Sequence, residues 1–247
     1  MIKITLITVT YNAEATLGRT LFSVASQNYP HIEHIIIDGG SKDRTVEIAN
    51  NFAYLAKVVS EPDKGLYDAM NKGLRLATGD YICFLNAGDK LHAPDTLKKI
   101  VSEIQHTAEN MGGSLPGVLY GHTNIVDNDG NFLRPRRLAP PEELTWKSFK
   151  EGMLVCHQAF YARRDLCPEY DTAFRFSADF DWCIRVMKQT DNLIYLPFTV
   201  VDYLNEGITT RNLHLSLIER FRLMCRHYGV LQTIVQHLWF IVRAFLF

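Results

Sequence analysis

Gly79-Asp80-Tyr81-Ile82-Cys83-Phe84-Leu85-Asn86-Ala87-Gly88-Asp89 decides the fold. Residues 81–85 are an apolar run of strand length, and the turn after them carries a carboxamide, Asn86, and a carboxylate, Asp89. A short run that is apolar throughout suits a strand covered on both faces. Upstream, Asp63-Lys64-Gly65-Leu66-Tyr67-Asp68-Ala69-Met70-Asn71-Lys72-Gly73 reads as a loop feeding a helix. Open α/β sheets bind ligands outside the carboxyl ends of their strands. A carboxylate and a carboxamide there can hold a hard divalent cation and, through it, phosphate oxygens. The placement points to a site for a nucleotide diphosphate.

Working outward, strands are expected at 3–8, 31–38, 56–60 and 81–85, with helices at 15–26, 44–51 and 65–77. The Ile35-Ile36-Ile37 run suggests burial on both faces, and Asp43 is placed to cap the second helix. Strands alternating with helices in this way predict a doubly wound, mostly parallel, Rossmann-like sheet. The second half reads as mixed. A helix is expected from 95 to 105 and a loop over 106–117. Short strands are expected at 118–121, 124–126 and 132–134, around the turn Asn128-Asp129-Gly130. Further strands fall at 158–162, 193–196 and 199–204, with a short helix at 180–188. The organisation is one α/β unit over 1–210, with halves 1–105 and 106–210, and a helical tail over 211–247.

The chain has 247 residues, 47% hydrophobic and 21% charged, enough to build a full core. A net charge of -1 gives no case for nucleic acid as a partner. From Arg211 onward five arginines and one glutamate give the tail +4, so the first 210 residues carry -5. The five cysteines are odd in number and lack CxxC spacing. Reduced thiols in a cytosolic protein are therefore expected, rather than disulfides or zinc. No signal-peptide pattern opens the chain.

Polar residues recur at the strand ends. Thr10, Tyr11 and Asn12 follow the first strand, Asp38, Gly39 and Gly40 the second, Asp63 and Lys64 the third, and Asn86 and Asp89 the fourth. A parallel sheet brings these ends to one edge, which can surround a nucleotide. Asp38 is placed to accept from a base imide or a ribose hydroxyl, and Lys64 to face a phosphate. Each aspartate alone would read as a turn cap; four strand ends in series read as a site.

This order of segments resembles the family 2 glycosyltransferases of the GT-A fold. The matching residues are Ile7-Thr8-Val9-Thr10-Tyr11-Asn12, then the stretch from Ile36 through Asp38-Gly39-Gly40 to Thr45, then Gly65 through Gly73, then Gly79 through Asp89. They span residues 4–89, with a weaker match to about 210. The stretch Ser60-Glu61-Pro62-Asp63-Lys64-Gly65 through Gly73 is most similar to the colanic-acid branch of bacterial exopolysaccharide assembly. The resemblance implies transfer of a sugar from a nucleotide-diphosphate sugar to a glycan or oligosaccharide acceptor, usually lipid-linked, with inversion. It assigns donor contacts to Thr8, Thr10, Tyr11, Asn12, Asp38, Gly39, Asp63, Lys64, Gly65, Asn71, Asn86 and Ala87. The family's Asp-x-Asp metal motif falls on Asn86, Ala87 and Gly88, then Asp89. Asp89 is the carboxylate left to hold Mg²⁺ or Mn²⁺ together with the donor diphosphate and waters.

A second cluster is Ser177-Ala178-Asp179-Phe180-Asp181-Trp182-Cys183-Ile184-Arg185. Two carboxylates opening a short apolar helix can simply complement its dipole. The resemblance implies more: inverting members carry a Glu-Asp pair here, so Asp179 takes the role of general base and Ala178 replaces the Glu. Asp181 is then behind it or faces the acceptor. The same resemblance marks His157 and Gln158 for acceptor or diphosphate contact. Gly207-Ile208-Thr209-Thr210, before Arg211, reads either as a loop closing on phosphates or as a turn. Arg134, Arg136 and Arg137 form a basic loop, solvated or facing an anionic acceptor.

In the tail, Leu217, Phe221, Met224 and Tyr228 share one helical face and Arg222 and Arg226 another. Gln232, Gln236, His237 and Arg243 interrupt the apolar segment after Gly229. A helical pair lying on the cytoplasmic surface of the inner membrane is expected, the alternative being packing on the body or a dimer partner. The protein is thus expected to be cytoplasmic and peripheral. Asn86 and Gly88 also motivate a non-catalytic nucleotide-sugar-binding subunit. A sugar nucleotidyltransferase would carry a Gly-rich basic loop after the first strand, and a dinucleotide oxidoreductase a GxGxxG; neither is present.

Overall fold

A computed structural model describes residues 1–205 and 213–246. The chain runs β1 (Ile4–Thr10), α1 (Leu17–Ala25), β2 (Ile32–Asp38), α2 (Thr45–Asn50), β3 (Lys57–Ser60), α3 (Leu66–Leu76), β4 (Tyr81–Phe84) and β5 (Lys90–Leu91). It continues through α4 (Thr96–Asn110), β6 (Val118–Val126), β7 (Phe132–Pro135), β8 (Phe160–Arg163), α5 (Ala178–Met187) and β9 (Leu193–Leu204). Two further helices follow, α6 (Leu213–Tyr228) and α7 (Val230–Leu246).

One sheet joins the strands in the order β3-β2-β1-β4-β8-β6-β9-β5, with β7 on β6. The first four are parallel, as expected. β8 is antiparallel to both β4 and β6, and β9 runs parallel to β6. The carboxyl ends of β3, β2, β1 and β4 therefore share one edge.

The apolar runs cover both faces with period two. Ile7, Val9, Ile82 and Phe84 face one layer, with α3 and α5. Ile4, Leu6, Tyr81 and Cys83 face the other, with α4. Trp182 pins α5 over the sheet centre: its ring stacks on Tyr170 at 5.2 Å and meets Phe84 and Phe160 edge-on at 5.7 and 5.9 Å. Burial of such a side chain contributes about 3 kcal/mol. Gly73 lets α3 close on β1, since a Cβ there would lie 2.4 Å from Ile7 Cγ2.

Several elements differ from the sequence expectation. β6 and β9 are each one long strand where two were expected. Their mutual register breaks where Gly121 opposes Leu196 and His122 opposes Thr199, leaving Pro197 and Phe198 unpaired. Proline lacks the ladder donor, so the strand bulges past it rather than ending. The short β5 was not foreseen, and α4 extends to Asn110, into the segment expected as a loop over 106–117.

The C-terminal helices are not a loose appendage. Leu223 and Met224 are fully buried in the main core cluster. Tyr228 stacks on Trp146 with planes 4° apart and donates to its carbonyl at 2.7 Å. Of the expected apolar stripe of α6, Met224 is buried, Tyr228 packs against the core and Phe221 meets His237 edge-on, whereas Leu217 is exposed; Ser216 and Leu223 are buried in addition.

Candidate active site

At the β2 end, Asp38 is fully buried. Its Oδ2 accepts from Gly40 N–H at 3.1 Å, Ser41 N–H at 2.9 Å and Ser60 Oγ at 2.6 Å, and its Oδ1 accepts from the Ser41 hydroxyl. An aspartate before Gly-Gly-Ser binds its own following amides. Its carboxylate therefore shapes the loop and ties β2 to β3, rather than being offered to a base or ribose. Asn12 joins this loop to the one after β1. It adopts φ +49°, accepts from Lys42 N–H at 2.9 Å, and its own N–H donates to Ser41 Oγ at 2.8 Å.

Other expected donor contacts also turn inward. The Thr8 hydroxyl donates to Leu85 O at 2.6 Å and pairs with His34 Nε2 at 2.8 Å. Asn71 clamps the Tyr170 peptide, its Nδ2 donating at 3.0 Å and its Oδ1 accepting at 2.7 Å. Ala87 packs with Leu17, Leu21 and Ile36 beneath α1.

A smaller set faces the edge. A Cβ on Gly39 would lie 3.0 Å from Asp63 Oδ2 and 3.4 Å from the Tyr11 ring, so three strand ends meet there. Asp63 Oδ1 is held by Lys72 Nζ at 2.6 Å. Thr10 Oγ1 and Asn86 Oδ1 are buried without a hydrogen-bond partner. Lys64, Gly65 and Tyr67, at the start of α3, line a cavity of about 160 Å³ with Phe174, Arg175 and Phe176.

Asp38→Ala leaves two amides and two hydroxyls without their acceptor at the strand ends. Loss of about 2–3 kcal/mol of stability is expected. A weakening of nucleoside-diphosphate affinity by about tenfold or more follows from the loosened edge. Thermal unfolding and calorimetry check the two effects separately.

Asp89 does not occupy the place expected of a metal ligand. Its Oδ1 accepts from Leu204 N–H at 2.9 Å and its Oδ2 from the Gln158 amide at 3.0 Å. Burial pushes its pKa up to about 7, although these bonds and the Arg19 charge pull the other way. The neighbouring Gly88 has φ +103°, and a Cβ there would lie 2.7 Å from Leu204 Cδ2. Asn86 to Asp89 thus form a turn that secures the end of β9. Among the described residues no three His, Cys, Asp or Glu side chains cluster as a cation site. These residues do not fit a cation held by the chain itself. Gln158, which also accepts from Cys156 Sγ at 2.7 Å, orients Asp89 instead of facing an acceptor.

The second half of the site centres on Asp179, in the first turn of α5. Its Oδ1 accepts from Phe180 N–H at 2.9 Å and from Tyr67 Oη at 3.2 Å. Its Oδ2 lies 3.6 Å from His157 Nδ1, and the side chain keeps 19% exposure. One oxygen is held, and the other accepts no hydrogen bond from the described residues. Burial lowers the His157 pKa, outweighing the attraction of Asp179, and Arg136 lowers it further. The imidazole is therefore neutral at neutral pH, with Nε2 buried and unpartnered. Tyr67 is pushed well above 10, first by burial and then by the Asp179 charge, so it remains a donor.

Asp181 is two residues along the helix, about 200° round its axis. It is fully buried and points away from Asp179. Its Oδ2 accepts from Arg185 Nε at 2.6 Å and its Oδ1 pairs with His227 Nε2 at 2.7 Å. It clamps α6 to α5 and does not face an acceptor.

Arg136 likewise points inward, donating to the carbonyls of Leu138, Leu154 and Met153 at 2.7, 3.2 and 2.6 Å. It lines a cavity of about 230 Å³ with His122, Thr123, Asn124 and Cys156, one residue from His157. Arg136, read in the sequence as part of a loop either solvated or facing an anionic acceptor, is engaged by backbone carbonyls, and Tyr67 was not singled out as a site residue. Tyr67 lies in the quoted Gly65-Leu66-Tyr67 segment, but nothing in its spacing reveals a carboxylate contact 112 residues away. The segment with Gly207–Arg211 is outside the described residues.

Residues 5–170 match the sequence family described as Glycosyl transferase family 2. The chain belongs to that family. The glycosyltransferase is 33% identical over 211 residues to a PGL/p-HBAD biosynthesis glycosyltransferase of Mycobacterium bovis, covering 82% of this chain and 74% of that protein. It is 29% identical over 206 residues to the amylovoran biosynthesis glycosyltransferase AmsB of Erwinia amylovora, covering 78% and 66%.

Among solved structures, Staphylococcus aureus TarS 1-349 with UDP-GlcNAc aligns with TM-score 0.70 at 19% identity. That alignment covers 90% of the glycosyltransferase and 64% of the TarS chain. Mannosyltransferase PcManGT of Pyrobaculum calidifontis, with GDP-Man and Mn²⁺, aligns with TM-score 0.62 at 17% identity, covering 95% and 74%. The fold is GT-A, with the two helices added at its C-terminal end.

Proposed function

We propose that this glycosyltransferase moves a sugar from a nucleotide-diphosphate donor to a hydroxyl of a glycan acceptor presented at a membrane surface, with inversion and with Asp179 as general base. The observation that carries the reading is the bonding of Asp179: Oδ1 is fixed by Tyr67 and Phe180 N–H, while Oδ2, on a partly exposed side chain, has no hydrogen bond from the described residues and lies 3.6 Å from His157 Nδ1. A general base needs an available oxygen within hydrogen-bond reach of the proton it takes. The acceptor oxygen attacks the anomeric carbon, and its proton passes to Oδ2. The bond from that carbon to the diphosphate oxygen breaks on the opposite side, and the electron pair leaves with the diphosphate. Tyr11, Gly39 and Asp63 suit the nucleoside end of the donor. Lys64 and the free amides opening α3 suit its phosphates.

The cation expected at Asp89 enters no step, because both its oxygens are bonded within the fold.

The relatives are named for PGL/p-HBAD biosynthesis and amylovoran biosynthesis, which supports a biosynthetic glycan acceptor. The C-terminal hairpin supports a membrane location. Thr233 and Gln236 of α7 are buried, while Leu231, Ile234, Val235, Leu238 and Trp239 are exposed, Leu231 by 78% and Trp239 by 50%. On α6, Leu215, Leu217 and Ile218 are also exposed. An outward apolar face of this extent beside exposed Arg222 suits an anionic bilayer surface. No helix among the described residues is long and apolar enough to cross a membrane.

A thermal-shift panel of UDP, GDP, CDP and dTDP, each with Mg²⁺, Mn²⁺ or EDTA, tests the donor reading. Stabilisation of several degrees by one diphosphate is expected, and it persists in EDTA. Collapse of that shift in EDTA would show a cation recruited with the donor. No shift with any diphosphate would contradict the proposed donor.

A further inference from the structure

Glu219 and Arg220 sit side by side on α6, outside every motif of the sequence. The Glu219 carboxylate accepts from three successive amides that lead into α5: Arg175 N–H at 2.8 Å, Phe176 N–H at 2.8 Å and Ser177 N–H at 3.1 Å. These amides lie just ahead of Ala178, so the carboxylate fixes the lead-in to α5. Together with the Asp181–His227 clamp, they fix the position of α6 against α5 at two points. The register so fixed sends Arg220 into the body rather than to solvent. Its guanidinium lies 5.2 Å over the ring of Phe180, the neighbour of Asp179.

Arg220 Nε is buried and has no hydrogen-bond partner. Burial disfavours the Arg220 charge, Asp179 favours it, and Arg136 and Tyr67 also act on it. A guanidinium in that position is costly to leave unpaired. Beside Asp179, His157 Nε2 is also buried and unsatisfied. The Asp89 carboxylate, at the β4 end, is already bonded to Leu204 N–H and the Gln158 amide. Among the described residues Arg220 forms no ion pair within contact distance, and a cation so placed beside a general base suits an anionic ligand group.

Resting on the donor reading above, we propose that Arg220 binds the donor's diphosphate and stabilises it as the leaving group, so that α6 is part of the active site. A planar guanidinium offers parallel N–H donors to phosphate oxygens, which a lysine cannot reproduce. Charge that develops on the diphosphate as the sugar departs is met by a donor already in place.

The test uses the full chain and inorganic pyrophosphate, which needs no knowledge of the base, in calorimetric titrations. Wild type binds it. Arg220→Met weakens it more than tenfold, and Arg220→Lys weakens it three- to tenfold. Melting temperature and circular dichroism are measured on each variant without ligand. A folded variant of either kind that binds pyrophosphate as wild type does overturns the proposal. A lowered melting temperature with unchanged pyrophosphate affinity assigns Arg220 to packing on Phe180 and overturns it equally. If wild type binds neither pyrophosphate nor any of the four nucleoside diphosphates, the donor reading falls as well. Binding by wild type with unaffected variants removes Arg220 alone.

Discussion

Asp179→Asn is expected to lower kcat for sugar transfer by about 10²–10⁴-fold, the usual range for loss of a general base. Nucleoside-diphosphate affinity should stay within about twofold of wild type. The substitution keeps the shape and retains an oxygen to accept from Tyr67 and Phe180 N–H. It removes only the basic oxygen beside His157. Steady-state kinetics with a fixed donor, alongside a diphosphate titration, separate the two effects. A variant that turns over at the wild-type rate would remove Asp179 from the chemistry. A variant that loses diphosphate binding in step with turnover would make it a donor ligand.

Asp181→Ala should be the more damaging change to stability, though it lies two residues away. Its side chain is fully buried and joins Arg185 on its own helix to His227 on α6. Removing one member of a buried pair typically costs about 3–5 kcal/mol. Arg185 remains 30% exposed and can be rehydrated, so about 3 kcal/mol is expected here. For a chain of this size that is roughly 6–12 °C in Tm.

The effect has a sign with pH. Burial alone would raise the Asp181 pKa, but the bonds from His227 and Arg185 outweigh it and hold the carboxyl below 3.8. A depressed carboxylate adds stability above its unfolded pKa and loses it as pH falls through the folded one. The Tm gap between wild type and variant should therefore be full at pH 6–7 and shrink below about pH 4. A gap that is constant with pH would place the loss in packing instead.

The parallel half of the fold was legible because its strands are apolar on both faces, as Ile35–Ile37 and Tyr81–Leu85 show in the sequence itself. β6 and β9 were read as broken because Gly121 and Pro197 look like ends, while pairing resumes beyond them through a bulge. At the site, residue type at a strand end was informative, but the direction of each side chain was not. Asp38, Thr8 and Asp89 lie at or near the expected edge and Asn71 within α3, yet each is engaged by backbone or side-chain groups of the fold. Nothing in linear spacing records which lone pairs a loop has already taken. The pairing of Asp179 with Tyr67 and His157 joins segments far apart in sequence, and Glu219 and Arg220 lay inside an amphipathic tail.

The most direct measurement is release of nucleoside diphosphate from UDP-, GDP-, CDP- and dTDP-hexoses by the full chain, with and without a lipid-linked glycan acceptor in vesicles. The account predicts release from one donor class, accelerated by the acceptor and lost in Asp179→Asn. Saturable donor binding with no release under any condition would contradict it.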